Sequence, residues 1–550
     1  MAMNKRVLTA AIVALPLCLM AQTAMDAYQM SRYDLRGTAR YMSMAGAFGA
    51  LGGDLSTLNQ NPGGIGVYRK SDVGITLDID MQNSKSITPL QTYKQSQTKA
   101  ACNNVGYVGS TWTGSDLMPI FNWGFTYNRA TSFNRRFRGT DAMTGSLSNY
   151  IAGYTSKKGW TTDELTSNDD NYFNRYGASW MSILAYNSFM INPVTAGATT
   201  YNGLWKDGVT TGDNEFDVEE KGYIDEYEIN FGGNFTDVVY WGIGVGITDL
   251  DYQQNVYYQE YLNNAQIPVE DANGDIISGQ PTTLPNEVGF GLQSRKHISG
   301  TGYNFKIGAI VRPINELRLG LAVHTPTYYN LTENSDGIVD YGYGYSDGPM
   351  KPDYTGTPVD SRQWKLRTPW RLIASIAGVI GPNFIISADY EYRPYSTIKT
   401  KFDNGDDCED VNGDIKAYYK DANIVRIGAE YRVNNHISLR AGYAYESTPS
   451  GSKVLNNQED VITSNPSDTG TTPSYTLDKS TSYITCGIGY RYKGFYADMA
   501  YVNKQYKSEY HAFTPNVYTA IQPGSEIKTS NNNLVFTLSL IHISEPTRPY

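Results

Sequence analysis

Apolar and polar residues alternate one by one from Ile424 to Glu446. Val425, Ile427, Ala429 and Tyr431 share one face, and Arg426, Gly428, Glu430 and Arg432 share the other. Val433-Asn434-Asn435-His436 turns the chain, and Ile437, Leu439, Ala441, Tyr443 and Tyr445 return on the apolar side. Successive side chains of a strand point to opposite faces, so this pattern predicts a β-hairpin. Phe305 to Val311 and Leu317 to Val323 repeat it around Pro313-Ile314-Asn315. Trp370 to Ile376 with Phe384 to Tyr392, Ile484 to Tyr490 with Phe495 to Tyr501, and Phe231 to Phe235 with Val239 to Ile247 do the same.

Loop lengths decide how these hairpins associate. Tight turns fall near 113–119, 236–238, 312–315, 381–383, 433–436 and 493–494. Long polar segments fall near 82–102, 132–223, 262–300, 332–367, 401–420, 447–479 and 508–529. Short and long alternate, as in outer-membrane barrels with short periplasmic turns and long outer loops, and the strands between them number about 14, an even count. A soluble sandwich has no reason to keep all its tight turns at one end. The fold class is therefore all-β, a transmembrane antiparallel β-barrel. Arg426, Arg440, Arg491, Asp389, Glu391 and Asp498 would cost up to about 2–4 kcal/mol each against lipid, so they are assigned to the lumen. Gly242, Gly244, Gly246, Gly308, Gly320, Gly428, Gly442, Gly487 and Gly489 share that inward face. Missing side chains leave room inside.

Gly37 to Tyr68 (GTARYMSMAGAFGALGGDLSTLNQNPGGIGVY) departs from the alternation. It is rich in small residues and weakly charged, and it reads as a compact segment that fills that room. Before it, Lys5 and Arg6 precede an apolar run from Val7 to Met20 and a small residue at Ala21. That is a secretory signal pattern, too short to span a bilayer. The expected division is signal peptide 1–21, hatch or plug 22–65, barrel 66–537, and a tail at 538–550. Leu538 to Arg548 (LSLIHISEPTR) is similar to the in-frame translation of a sequencing-library adapter. The genuine chain is expected to stop near Thr537, and the tail to be unpaired after about residue 540, since Pro546 and Pro549 suit no ladder.

The chain has 550 residues, a net charge of -10 and 40% hydrophobic residues. The mean hydropathy of -0.43 excludes a bundle of apolar membrane helices but not a barrel, whose strands average out polar. The acidic balance argues against a nucleic-acid partner. Cys18 leaves with the signal, and Cys102, Cys408 and Cys486 have no spacing that defines a disulfide framework. The five histidines are scattered, without metal-ligand spacing, so neither a metal nor a cofactor is expected. No catalytic grouping stands out, and the chain is not expected to be an enzyme. The Gly46–Gly52 run lacks the strand before it and the Gly-Lys-Ser/Thr after it that phosphate loops need. Asp271-Ala-Asn-Gly-Asp275 and Asp410-Val-Asn-Gly-Asp414 lack the next glycine and the closing glutamate of a calcium loop. Their Asn-Gly pairs predict tight turns at loop tips.

Gly49-Ala-Leu-Gly-Gly-Asp54 running into Asn61-Pro62-Gly63-Gly64-Ile65, followed by the hairpin Phe305 to Thr325, resembles the FadL-type family of outer-membrane transporters for long-chain fatty acids and other hydrophobic compounds. The resemblance covers most of residues 25–537. It implies a 14-stranded barrel with an N-terminal hatch carrying an Asn-Pro-Ala motif, here Asn61, Pro62 and Gly63. Gly63 departs from that motif and adds backbone freedom at the corner. It also implies capture of a hydrophobic small molecule at the outer loops and passive exit sideways through the wall, beside a kinked early strand. The matching strand is Pro119 to Arg129, in which Trp123, Phe125 and Tyr127 share a face and Gly124 permits a bend. Within 132–223, helices are expected at Ser146 to Tyr154 and Ala178 to Tyr186. Trp180, Ile183, Leu184 and Phe189 either pack within that loop or form an apolar capture site at the outer mouth. The expected partners are the ligand, outer-membrane lipid and lipopolysaccharide, and the barrel-assembly machinery, with the chain a monomer. A general porin or surface antigen, or less readily an outer-membrane hydrolase, is the rival reading. A porin has an open polar lumen, whereas a transporter of hydrophobes has a plugged one.

Overall fold

The computed structural model describes residues 23–542 apart from 89–90, 141–142, 167–172, 174–176, 196, 271–275, 284–287, 344–350, 452–468 and 514–523. Among the described residues, fourteen strands close an antiparallel barrel. They are β1 (Ser71–Ile87), β2 (Thr92–Trp112), β3 (Ile120–Ser132, continued by Arg135–Gly139), β4 (Thr211–Phe235), β5 (Val239–Asn263), β6 (Val288–Ile314) and β7 (Leu317–His324, continued by Tyr328–Tyr343). There follow β8 (Asp360–Arg367 and Arg371–Ile380), β9 (Phe384–Arg393 and Lys399–Phe402), β10 (Ala422–Arg432), β11 (Ile437–Glu446), β12 (Tyr475–Tyr492), β13 (Phe495–His511) and β14 (Ser525–His542). Each pairs with the next, and β14 closes on β1 from Ser71↔His542 to Ile87↔Glu526. Closure pairs every strand on both sides over part of its length, which a membrane demands because backbone groups there have no water to bond.

The alternation lands as the physics requires. Val425, Ile427, Tyr431, Leu439, Tyr443 and Tyr445 stand exposed on the outer wall, while Arg426, Glu430, Arg440, Asp389 and Glu391 are buried inside. The strands are longer than the apolar alternation. β4 and β5 have 25 residues each and β6 has 27, where about 9–11 span a bilayer. Much of 82–102, 262–300, 332–367 and 508–529, read as loop, is therefore strand standing above the membrane. There the outer face meets water rather than hydrocarbon, so the ladder continues while the hydrophobic alternation lapses.

The segment between β3 and β4 folds into an outer cap. Its helices are Leu147–Lys158, capped by Ser146, then Thr162–Leu165 and Trp180–Asn187. Asp410 to Asp414 lie in the helix Glu409–Tyr418 rather than at the expected turn. Val411, Ile415 and Tyr418 form its buried stripe and pack with Ala24, Ala27 and Tyr28, and that tertiary burial overrides the Asn-Gly preference. Asp271 to Asp275 lie outside the described residues, as do 1–22 and 543–550. Pairing of β14 runs to His542.

Candidate functional site

The N-terminal segment lies inside the barrel as short pieces: helices Ala24–Gln29, Ala39–Ser43 and Thr57–Gln60, and a 3-10 turn Pro62–Val67. Met42, Met44, Phe48, Ala50 and Leu58 are fully buried. Six of the inward glycines, Gly242, Gly308, Gly320, Gly428, Gly442 and Gly487, are where the wall meets it. A Cβ on Gly308 would stand 1.9 Å from Asn61 Oδ1, and one on Gly320 would stand 2.2 Å from the Gly49 carbonyl. Gly428, Gly442 and Gly487 receive the Ser43–Ala45 stretch in the same way.

The Asn61-Pro62-Gly63 corner is held tightly. Asn61 Oδ1 accepts from the Gly63 amide at 3.0 Å, and its Nδ2 donates to the Gly49 carbonyl at 2.6 Å and the Ala309 carbonyl at 3.3 Å. Pro62 opens the 3-10 turn, where a missing N–H costs nothing. Gly63 is a close-approach residue rather than a loose one, since a Cβ there would meet Ala309 Cα at 2.8 Å. Gly63→Ala is therefore expected to push the plug off β6, destabilising the protein by about 1–3 kcal/mol, the usual cost of overpacking. Thermal unfolding in detergent and leak current in planar bilayers measure it, and no change in either would mean the contact yields freely.

Charged groups pin the plug to the wall. Arg36 donates to Asp78 at 2.9 Å and Asp80 at 2.7 Å on β1, and Arg40 to Glu430 at 3.1 Å on β10. Lys504 on β13 meets Asp34 at 2.6 Å, and Lys296 on β6 meets Asp26 at 2.8 Å. Burial alone would raise the Asp34 carboxyl; Lys504, Arg32 and Arg36 outweigh it and hold the group well below the usual carboxylate range. Gln60 and the Gly49 amide both donate to Asp389, at 2.9 and 3.0 Å. Asn59 donates to Glu226, which with Glu228 flanks Lys306 at 2.8 and 3.0 Å. Sequence reasoning assigned several of these charges to the lumen but named none of the pairs, because the partners lie far apart in the chain.

The wall is broken beside the plug. β2 and β3 pair from Trp112↔Ile120 to Asn104↔Asn128. Above that level β2 pairs only with β1 among the described residues. Two extra residues sit at the break: the β1–β2 register skips Asn103, and the β3–β4 register skips Ala130. Asn103 turns inward and accepts from Arg36 at 3.1 Å. The Ala130 carbonyl accepts from the Asp34 amide at 3.0 Å, and Thr131 Oγ1 donates to the Arg32 carbonyl at 2.8 Å. One freed backbone group, the Ala130 carbonyl, thus finds its partner on the plug, and the Asn103 and Thr131 side chains bond to the plug beside it. Beyond the break β3 turns into the barrel. The Arg135 guanidinium lies over the Tyr506 ring of β13, and Phe137 meets Tyr510 edge-on at 5.6 Å. Lys99 on β2 donates across the gap to Asn134.

Trp123, Phe125 and Tyr127 face outward, and each is paired with both neighbouring strands. Gly124 faces the plug, where a Cβ would stand 3.0 Å from Leu58. The bend therefore lies past these four residues, at Ala130. In β2 the outward residues are odd-numbered at Val105 and Tyr107 and even-numbered at Lys94 and Ser96, a parity switch that the extra Asn103 produces.

In the outer cap Trp180, Ile183 and Leu184 are 2%, 0% and 1% exposed. They pack with Phe137, Phe216, Tyr258, Phe290 and Tyr510, so they form the cap's core and not a surface open to the medium. Phe189 is exposed and meets the rings of Tyr341 and Tyr343. Glu260 of β5 ties the cap down by accepting from the Leu147 amide at 2.8 Å. Burial raises its carboxyl to about 7 against the bonds from Leu147, Ser146 and Tyr258.

The model of the outer membrane protein transport protein family (OMPP1/FadL/TodX) matches residues 216–512. The chain belongs to this family. Among solved structures, this family member is similar to a Pseudomonas aeruginosa FadL homologue at 13% identity, covering 92% of this chain and 98% of that one with a TM-score of 0.49. It is also similar to the P. putida toluene transporter TodX at 13% identity, covering 93% and 100% with a TM-score of 0.47. A third is the Ralstonia pickettii toluene transporter TbuX, at 13% identity, 93% and 100% coverage and a TM-score of 0.45. No curated protein matches the chain. Membership places this OMPP1/FadL/TodX protein in the outer membrane, as a transport protein.

Proposed function

We propose that the protein carries hydrophobic small molecules, of the fatty-acid or aromatic-hydrocarbon kind, passively across the outer leaflet and releases them sideways between β2 and β3. One observation carries this reading: the lumen is filled by the plug, while the ladder between β2 and β3 stops beside the plug. A general porin needs the reverse arrangement. An apolar solute crosses a charged lipopolysaccharide face poorly. A lined path bypasses that layer, and each Å² of apolar surface it buries contributes roughly 25 cal/mol. A side exit into the bilayer spares the solute a return to water. Residues 1–21 act as the secretion signal, 22–65 as the hatch and 66–537 as the barrel. The barrel-assembly machinery inserts the chain, which works as a monomer. The outer cap is the entry, with Phe189 at its surface, and Trp180, Ile183 and Leu184 become available to a ligand when the cap loosens. Trp123, Phe125 and Tyr127 form the lipid-facing wall just below the exit.

A reversible crosslink tests the exit. Lys99→Cys and Asn134→Cys, made with Cys102→Ser and Cys486→Ser, place thiols on the two sides of the gap. A short bis-methanethiosulfonate should lower uptake of a fluorescent fatty acid by at least about tenfold, an added barrier of roughly 1.4 kcal/mol, and reductant should restore it. Full crosslinking with unchanged uptake would sink the side-exit route.

A further inference from the structure

Four lysines stand side by side on the outward face of the barrel. The register sets Lys94 opposite Lys85, Lys85 opposite Lys528, and Lys528 opposite Lys507. One ladder row thus crosses β2, β1, β14 and β13. Each lysine follows the lipid-facing alternation of its strand: Lys85 continues Ile75, Leu77 and Ile79, and Lys507 continues Met499 and Tyr501. Like charges directly opposite on a sheet face repel and destabilise it. Glu526 meets Lys528 at 3.0 Å. No ion pair is found at Lys85, Lys94 or Lys507 among the described residues. Glu509 and Glu526 stand opposite each other in the row above, and Glu526 is drawn to Lys507 as well as Lys528, so the positive charge that the chain leaves uncompensated is concentrated at Lys85 and Lys94.

Its height is informative. Lys85 lies six residues beyond Ile79 on β1, about 20 Å along the strand and about 15 Å along the membrane normal at the usual barrel tilt. That is the level of lipid headgroups, above the apolar belt. The next row down holds Gln505, Ser530, Asn83 and Ser96, amides and hydroxyls suited to a sugar. The two rows line a groove of about 730 Å³. Phosphate suits ammonium groups as strong acceptors of charge-assisted bonds.

We propose that this row is a docking site for the phosphate groups of lipopolysaccharide in the outer leaflet, with the amide and hydroxyl row beneath taking its sugar headgroup. Bound phosphate removes the repulsion along the row. Because Lys94 sits on the strand whose other edge borders the wall break, the docked lipid flanks that break. The proposal depends only on the chain's place in the outer membrane, not on what the protein transports.

The full barrel, purified in detergent with chelator present to remove bridging divalent cations, is titrated with fluorescently labelled lipopolysaccharide. The quadruple variant Lys85→Gln, Lys94→Gln, Lys507→Gln, Lys528→Gln is expected to bind at least about tenfold more weakly. The matching Lys→Arg variant should keep its affinity. Dephosphorylated lipopolysaccharide should bind the unaltered protein no better than intact lipopolysaccharide binds the glutamine variant. Circular dichroism and the heat-induced gel shift verify that each variant folds. Equal binding by the glutamine variant, or equal binding of the dephosphorylated lipid, would overturn the site. Full displacement by an equimolar amount of inorganic phosphate would overturn the lipid assignment in favour of a general anion site.

Discussion

Deleting Met25 to Gly64 is expected to turn the closed barrel into an ion-conducting pore. The removed stretch contains the buried Met42, Met44, Phe48 and Leu58, and the glycines that receive it cannot fill the space left behind. Gly308, Gly320, Gly428, Gly442 and Gly487 would then face open lumen. The ladder from β1 to β14 does not run through the plug, so the barrel should still form and shift on heated gels. Planar-bilayer recordings should pass from no resolvable steps to steady open-pore current. A deletion variant that folds yet conducts no more than the parent protein would refute the plug.

The second large effect is expected at Lys306. Its ammonium group sits between Glu226 and Glu228, and all three side chains are at most 1% exposed. Glu226 also accepts from Asn304 at 2.8 Å and from Asn59 of the plug. Lys306→Met leaves two carboxylates facing each other without a counter-charge. Breaking a buried pair from one side costs about 3–5 kcal/mol, because the remaining charge stays desolvated. Thermal unfolding of the variant should fall accordingly, and the loss of order around Asn59 should raise leak current. Adding Glu226→Gln and Glu228→Gln to Lys306→Met should recover much of the stability, since the unpaired charge is then gone. A single variant as stable as the parent would show that the two carboxylates are already neutral.

How far the fold could be read from the chain follows from where lipid acts. Between the tight turns and the outer end of the apolar belt, one face of every strand meets hydrocarbon, so alternation is enforced and the hairpins at 424–446 and 305–323 are plain. Above the belt lipid no longer sorts the residues. Strands such as Thr92 to Asn103 then resemble polar loops, although their ladder to β1 continues without a gap in pairing at 92–102. The plug was legible through absence: inward glycines signalled space before anything showed what occupied it. Its anchors were not legible, because Arg36 meets Asp78 only after the chain has folded around it. Gly63 misled for a related reason. In sequence a glycine suggests freedom, whereas here it marks the nearest approach of two backbones.

The order in which the barrel closes has a consequence for biogenesis. The amide of Ala39 donates to Thr537 Oγ1, and Thr485 Oγ1 donates to the Ser43 carbonyl. The first-made part of the folded chain is thus bonded to strands made last. Once β14 zips onto β1 the lumen is a closed ring, and a segment of this bulk cannot be threaded in afterwards through an end that it must itself fill. The hatch has to wait inside a growing, still open sheet until the final seam forms. Such contacts across most of the chain length make the last step slow. The ring closes around its own cargo like a hoop around a core already in place, so insertion and plugging are settled in one event.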